Sequence, residues 1–282
     1  MLDILIRGDT IFIDEYRSLN NGYVYIKDGI VEKVGTQPVP EEFEYATLVI
    51  GGPNRVILPA LGIAYTDIGL YDIHPYDRGF LENRFHLLRQ REDSRVLSSI
   101  NRGLFDLSIH GIAIVGIELP SYWMSVDLEG KTNLKVNAIM EKCPEDSDHC
   151  LVPKHLRDKG NEQNTIYLNS SESIILYKDK IATALVNRFS YNPCDLGAEN
   201  LLINTKIAFE SRGLKWGIHE GRPAYISVFN FNEPPFYLAN LEAADIIDVL
   251  STCKRIETLI VEKDLVIDAG EHLTIGKKNM GQ

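Results

Sequence analysis

Four groups able to hold a cation or move a proton crowd into one short stretch, Asp67, Asp72, His74 and Asp77, within and just after the apolar run VILPALGIAYTDIGL. Carboxylate oxygens of this kind suit hard divalent ions such as magnesium or manganese, and the loop after a barrel strand is where such sites are built. The competing reading is a solvated loop whose acids start a helix, with Asp77 as its N-cap. A second cluster, Cys143, Asp146, Asp148, His149, Cys150 and His155, has zinc-ligand side chains. Its spacing matches no standard pair of ligand knuckles, and polar loops gather such residues by chance. His110 precedes Gly111, where an imidazolium meets the negative end of a helix, so capping explains it more simply than catalysis.

Several chemistries are not encoded. The chain has neither a GxSxG nucleophile elbow nor a GxxxxGK phosphate loop, which removes support for hydroxyl-nucleophile and nucleotide-hydrolysing readings. Its 40 acidic residues against 29 basic ones give a net charge of −11, which opposes nucleic-acid binding, since that requires clustered Lys and Arg. No apolar run reaches the roughly 18 to 20 residues that cross a bilayer, and Asp3, Arg7 and Asp9 interrupt the opening segment. A cytoplasmic protein without membrane contact is expected. The four cysteines, Cys143, Cys150, Cys194 and Cys253, form no CxxC pair and read as mostly reduced thiols, the alternative being a Cys143 to Cys150 disulfide.

The elements that would position these groups follow from hydrophobic periodicity. The first fifty residues alternate apolar and polar positions, as half-buried strands do, and Asp28-Gly29 between two alternating runs predicts a tight hairpin turn. The unalternating run after GGPNR reads as a strand buried on both sides. From Asp77 to His110 apolar residues recur at helical spacing, with Gly111 as a stop. The strands IAIVGIEL and LKVNAIM follow, so strand, long helix and strand imply a βαβ crossover. TIYLN, SIILY and IATALV are short strand candidates of undetermined pairing. A helix is predicted over about Asp195 to Ser211, after Asn192-Pro193 and before Gly213. Beyond it, RPAYISVFNF and RIETLIVEKDLVIDAG return to strand texture.

Three stretches, YIKDGIVEKVG near the start, GIHEGRPAY, and RIETLIVEKDLVIDAG near the end, together resemble the metal-dependent amidohydrolase superfamily, whose members interpose a (β/α) barrel between the halves of a small β-sandwich. The resemblance implies an α/β chain with a reduced or distorted TIM-like barrel over 58–213 and a composite β-sandwich from 1–57 and 214–282. A full barrel takes about 250 residues, so only some of its units fit. The family ends its first barrel strand in Pro, Gly and His-x-His, the imidazoles holding zinc or iron. In PALGIAYTD, Tyr65 and Asp67 stand at those positions, and a phenol is a poor zinc ligand. In ATALVNRFSYNP, Arg188 aligns with the family's last-strand aspartate, where a permanent cation repels a divalent ion.

The resemblance therefore implies an amidohydrolase-like protein without the usual metal ligands or cofactor, in a non-catalytic binding, regulatory or assembly role. Its pocket candidates are Tyr65, Asp67, His74, His110, Asn187 and Arg188. The guanidinium of Arg188 would contact a small anionic ligand. The alternative is a hydrolase of C–N bonds in cyclic amides, ureas or amidines, with one non-standard zinc or manganese held by Asp67 with Asp72, His74, His110 or His149. A barrel lacking strands exposes edges that need covering, which predicts a homo-oligomer or a protein partner.

Overall fold

The computed structural model describes residues 3–73, 81–120, 128, 132–140, 150–153, 165–169, 174–178, 180–186, 191–232 and 245–273. Two compact units emerge, Met1–Ala60 with Ile109–Ala113 and Trp216–Gln282, and Leu61–Ser108 with Ile114–Lys215.

The first unit carries β1 (Asp3–Phe12), β2 (Ser18–Lys27), β3 (Ile30–Thr36), the short helix α1 (Glu41–Glu44), β4 (Leu48–Gly51) and β5 (Arg55–Pro59). The predicted Asp28-Gly29 turn joins β2 to β3, with Lys27 paired to Ile30. Both turn residues have positive φ, 51° and 81°, the conformation a two-residue hairpin demands and glycine adopts freely. From the far end of the chain come β13 (Tyr225–Asn230), β14 (Thr258–Val261), β15 (Asp264–Asp268) and β16 (Glu271–His272). Antiparallel pairing of β13 with β5 joins the two chain segments into one nine-stranded sheet. Its alternating positions converge on one core, in which Ile4, Ile6, Val24 and Ile26 pack with Ile226, Val228 and Ile260. The guanidinium of Arg55 donates two bonds to Glu257, at 2.9 and 2.8 Å.

The second unit is built on β6 (Leu61–Thr66), β7 (Ile112–Glu118, mostly within this unit), β8 (Lys135–Ile139), β9 (Cys150–Pro153), β10 (Thr165–Asn169), β11 (Ile174–Tyr177) and β12 (Lys180–Thr183). Hydrogen bonds order them β12-β11-β10-β9-β8-β7-β6. The ladders from β7 to β10 are parallel, and β10, β11 and β12 then form an antiparallel meander. Strand β9 falls in the polar stretch where sequence patterning showed no element.

Between β6 and β7 the predicted single helix is two, α2 (Leu81–Gln90) and α3 (Asp93–Ser108). The break falls at Arg91, whose side chain turns back to bond the carboxylate of Asp72 and the carbonyl of Gly69. α3 buries the expected stripe of Val96, Ile100, Leu104 and Leu107. No helix among the described residues is long and apolar enough to cross a membrane.

The edges of the seven-stranded sheet meet at one parallel bridge, Thr66 with Leu185, where the Leu185 amide donates to the Tyr65 carbonyl at 3.2 Å. Elsewhere along β6, the helix α4 (Ala198–Glu210) supplies what a neighbouring strand would. The Ala64 amide donates to Asn204 Oδ1 at 3.2 Å, Asn204 Nδ2 donates to the Thr183 carbonyl at 2.9 Å, and the Gly62 amide donates to Thr205 Oγ1 at 3.0 Å. The helix comes this close because position 62 lacks a side chain: a Cβ there would lie 2.7 Å from that of Ala208.

Two measurements follow. Asn204→Ala strands one buried amide and one carbonyl, each costly without a partner, and is expected to lower stability by about 2 to 4 kcal/mol in urea denaturation. Burial pushes the imidazole of His272 down to about 4 from 6.5. The unfolded chain then binds the extra proton between those values, so this residue's contribution to stability is complete above pH 6.5 and falls as the pH drops toward 4. The difference in unfolding free energy between the native chain and His272→Gln should show that slope.

Candidate functional site

The C-terminal ends of β6 and β7 carry an unusual density of buried polar groups. β6 is buried throughout, as a strand without alternation should be, and it delivers Tyr65 and then Asp67, each 0 % exposed. Carboxylates removed from water need compensating partners, and Asp67 has them. The hydroxyl of Tyr191 lies 2.6 Å from its Oδ1, to which it donates, and 3.0 Å from its carbonyl oxygen. Arg84, 1 % exposed on α2, brings its Nε to 3.8 Å from Oδ2. Tyr191 is held in turn by Tyr71, whose ring stacks on it with centroids 5.3 Å apart. Burial and a 2.7 Å bond to Asp106 push the Tyr71 hydroxyl up to about 12, keeping it a neutral donor.

Tyr65 has a different environment. It joins Ala64, Ile139, Ile175, Tyr177, Ala182 and Ile207 in an apolar cluster, and among the described residues its hydroxyl has no hydrogen-bond partner. On the next strand, Glu118 closes the otherwise apolar β7. It is 0 % exposed, and among the described residues neither carboxyl oxygen has a hydrogen-bond partner. Burial pushes its pKa well above the usual carboxylate value, favouring the neutral acid.

The remaining sequence candidates separate. Asp72 accepts from both Arg91 and the Ser99 hydroxyl. Burial raises its pKa, but those bonds outweigh it and the net shift is downward, so it is a structural anchor for the break between α2 and α3. His110 lies in the turn after α3 and belongs to the other compact unit. His74, Asp77, Asn187 and Arg188 lie outside the described residues, as do Cys143, Asp146, Asp148, His149 and His155. Cys194 and Cys253 are disulfide-bonded, which corrects the expectation of reduced thiols. Bonding depends on Cα atoms approaching to about 4.4 to 6.8 Å, a distance that sequence spacing does not report.

A divalent ion of the kind the family holds does not fit the residues described. Its ligands would be basic and open, whereas the Tyr65 phenol sits among apolar side chains and both Asp67 oxygens face donors. The Arg84 guanidinium already supplies positive charge beside that carboxylate. Among the described residues, no group of three or more His, Cys, Asp or Glu side chains is arranged to hold a metal ion.

Neither protein-family profiles nor curated protein sequences match the chain. Solved structures do. A triazine hydrolase variant superposes with a TM-score of 0.68 at 11 % identity, covering 99 % of each chain. Atrazine chlorohydrolase from Arthrobacter aurescens TC1, complexed with zinc, gives 0.65 at 10 % identity, covering 98 % of this chain and 99 % of the other. Aminofutalosine deaminase from Helicobacter pylori gives 0.58 at 13 % identity, covering 94 % and 100 %. These are amidohydrolase superfamily members. The chain shares the overall mixed α/β fold of these three proteins.

The Asp67 contacts are open to a double-mutant cycle. Arg84→Met leaves a buried carboxylate without its cation and should cost about 3 kcal/mol or more. Adding Asp67→Leu removes the charge being stranded, and the double variant should recover much of that loss in urea denaturation. Additive losses would mean the two side chains do not act as a pair.

Proposed function

We propose that this chain is a metal-independent protein of the amidohydrolase fold that binds a small molecule at the C-terminal ends of β6 and β7 without hydrolysing it. One observation carries the reading. The carboxylate at the family's metal position, Asp67, is fully buried and committed to Tyr191 and Arg84. A cationic side chain that belongs to the protein has taken over the electrostatic role of an exchangeable ion. In this reading the seven-stranded sheet is a reduced barrel and the nine-stranded sheet a composite sandwich. The role is then binding, regulation or assembly, with a second copy or a partner protein as the natural associate.

The location follows less directly. Disulfides persist in oxidising compartments or in the cytosol of hyperthermophiles, so a cytoplasmic placement goes with the second setting.

The rival reading, a C–N hydrolase with a non-standard zinc or manganese site, draws on the zinc complexed in the atrazine chlorohydrolase structure. Metal analysis decides between them. Protein purified without a histidine tag and then dialysed against zinc or manganese should retain far less than one ion per chain. Stoichiometric metal that disappears in Asp67→Ala would overturn the proposal and restore the hydrolase.

A further inference from the structure

Glu118 is the strongest unabsorbed feature of the second unit. A lone acid at the end of the apolar strand IAIVGIE, it has no exposed surface and, among the described residues, no hydrogen bond to either oxygen. Native proteins rarely leave a buried polar group unpaired, and an exception calls for an explanation. Its place is also suggestive, because ligands of parallel α/β sheets bind beyond the carboxyl ends of the strands.

Two details tie Glu118 to the Asp67 region. The Thr66 hydroxyl bonds the carbonyl of Gly116, two residues before Glu118, at 2.9 Å. A Cβ on Gly69, two residues past Asp67, would come within 3.5 Å of the Glu118 carbonyl oxygen. On the other side, the parallel register pairs Glu118 with Ile139, placing both side chains on one face of the sheet. Ile139 packs in the same apolar cluster as Tyr65, whose hydroxyl likewise has no partner among the described residues.

We propose that Glu118, with Tyr65 on the neighbouring strand, forms a ligand subsite for a small neutral molecule that presents a hydrogen-bond acceptor and a donor side by side, as a primary carboxamide does. A protonated carboxyl offers one O–H donor and one carbonyl acceptor on adjacent atoms, the complement of an amide edge. The phenol of Tyr65 adds a further donor. The apolar surroundings favour an uncharged ligand, because an anion brought beside Glu118 would lose its hydration with no cation of the subsite to replace it. An acid retained at such a cost to stability is a mark of function.

This inference rests on the metal-independent reading above, but fails separately from it, since its test monitors Glu118 and not metal content. Infrared difference spectra comparing the native chain with Glu118→Gln at neutral pH should show the carbonyl stretch of one protonated carboxylic acid in the native chain only. Benzamide should shift that band. Benzoate, an anion of the same shape, and N,N-dimethylbenzamide, which lacks the donor, should leave it in place. Glu118→Gln, neutral and of the same size, should fold and melt at least a few degrees higher than the native chain. Absence of the acid band overturns the proposal. So does a band indifferent to benzamide, which would make Glu118 a structural acid, or one moved equally by all three compounds.

Discussion

Burying a carboxylate costs free energy that only donors and cations nearby can return, and the second unit is organised around meeting that cost at Asp67. Tyr191 donates to one oxygen and Arg84 faces the other. Each partner draws in a different part of the chain. Tyr191 arrives just before α4, Arg84 from α2, and Tyr71 stacks on Tyr191 while bonding Asp106 of α3. The carboxylate thus links β6 to the helices around it.

The second constraint is the sheet edge. Strand β6 stands at one end of the seven-stranded order, and an open edge invites pairing with another chain. The side chains of Asn204 and Thr205 take bonds from the β6 amides instead. Asn204 serves because one amide side chain both accepts from Ala64 and donates to Thr183, bridging the split between β6 and β12. The absence of a side chain at Gly62 lets α4 approach near enough for this.

Much of the architecture was legible because it depends on local rules. Alternation marked β1 to β3 and β13 to β15, and Asp28-Gly29 marked the hairpin. The apolar run after GGPNR, read as one strand buried on both sides, is buried as expected but is two strands, β5 and β6, in different sheets. The single helix expected over 77–110 was two, because the break depends on Arg91 reaching Asp72, nineteen residues away. Strand β9 was missed since its few residues lie in polar sequence. Of the polar groups now at the strand ends, Tyr65 and Asp67 stood out through their positions. Arg84 and Tyr191 did not, as nothing in a helix of mixed charge or in the segment SYNP points to Asp67, which lies 124 residues before Tyr191 and in a separate element from Arg84. Glu118 left one trace, a lone acid closing an apolar run.

The sequence by itself determined which segments become strands and helices and which side chains, Tyr65 and Asp67 among them, stand at the end of β6. Those outcomes follow from periodicity, turn chemistry and residue type, all properties of near neighbours along the chain. Tertiary structure decided what the buried polar groups meet: Asp67 against Tyr191 and Arg84, Glu118 against no partner among the described residues, and the β6 amide of Ala64 against Asn204. Electrostatic and hydrogen-bond energies depend on distance in space and on exclusion of water. Both are set only when remote segments pack together.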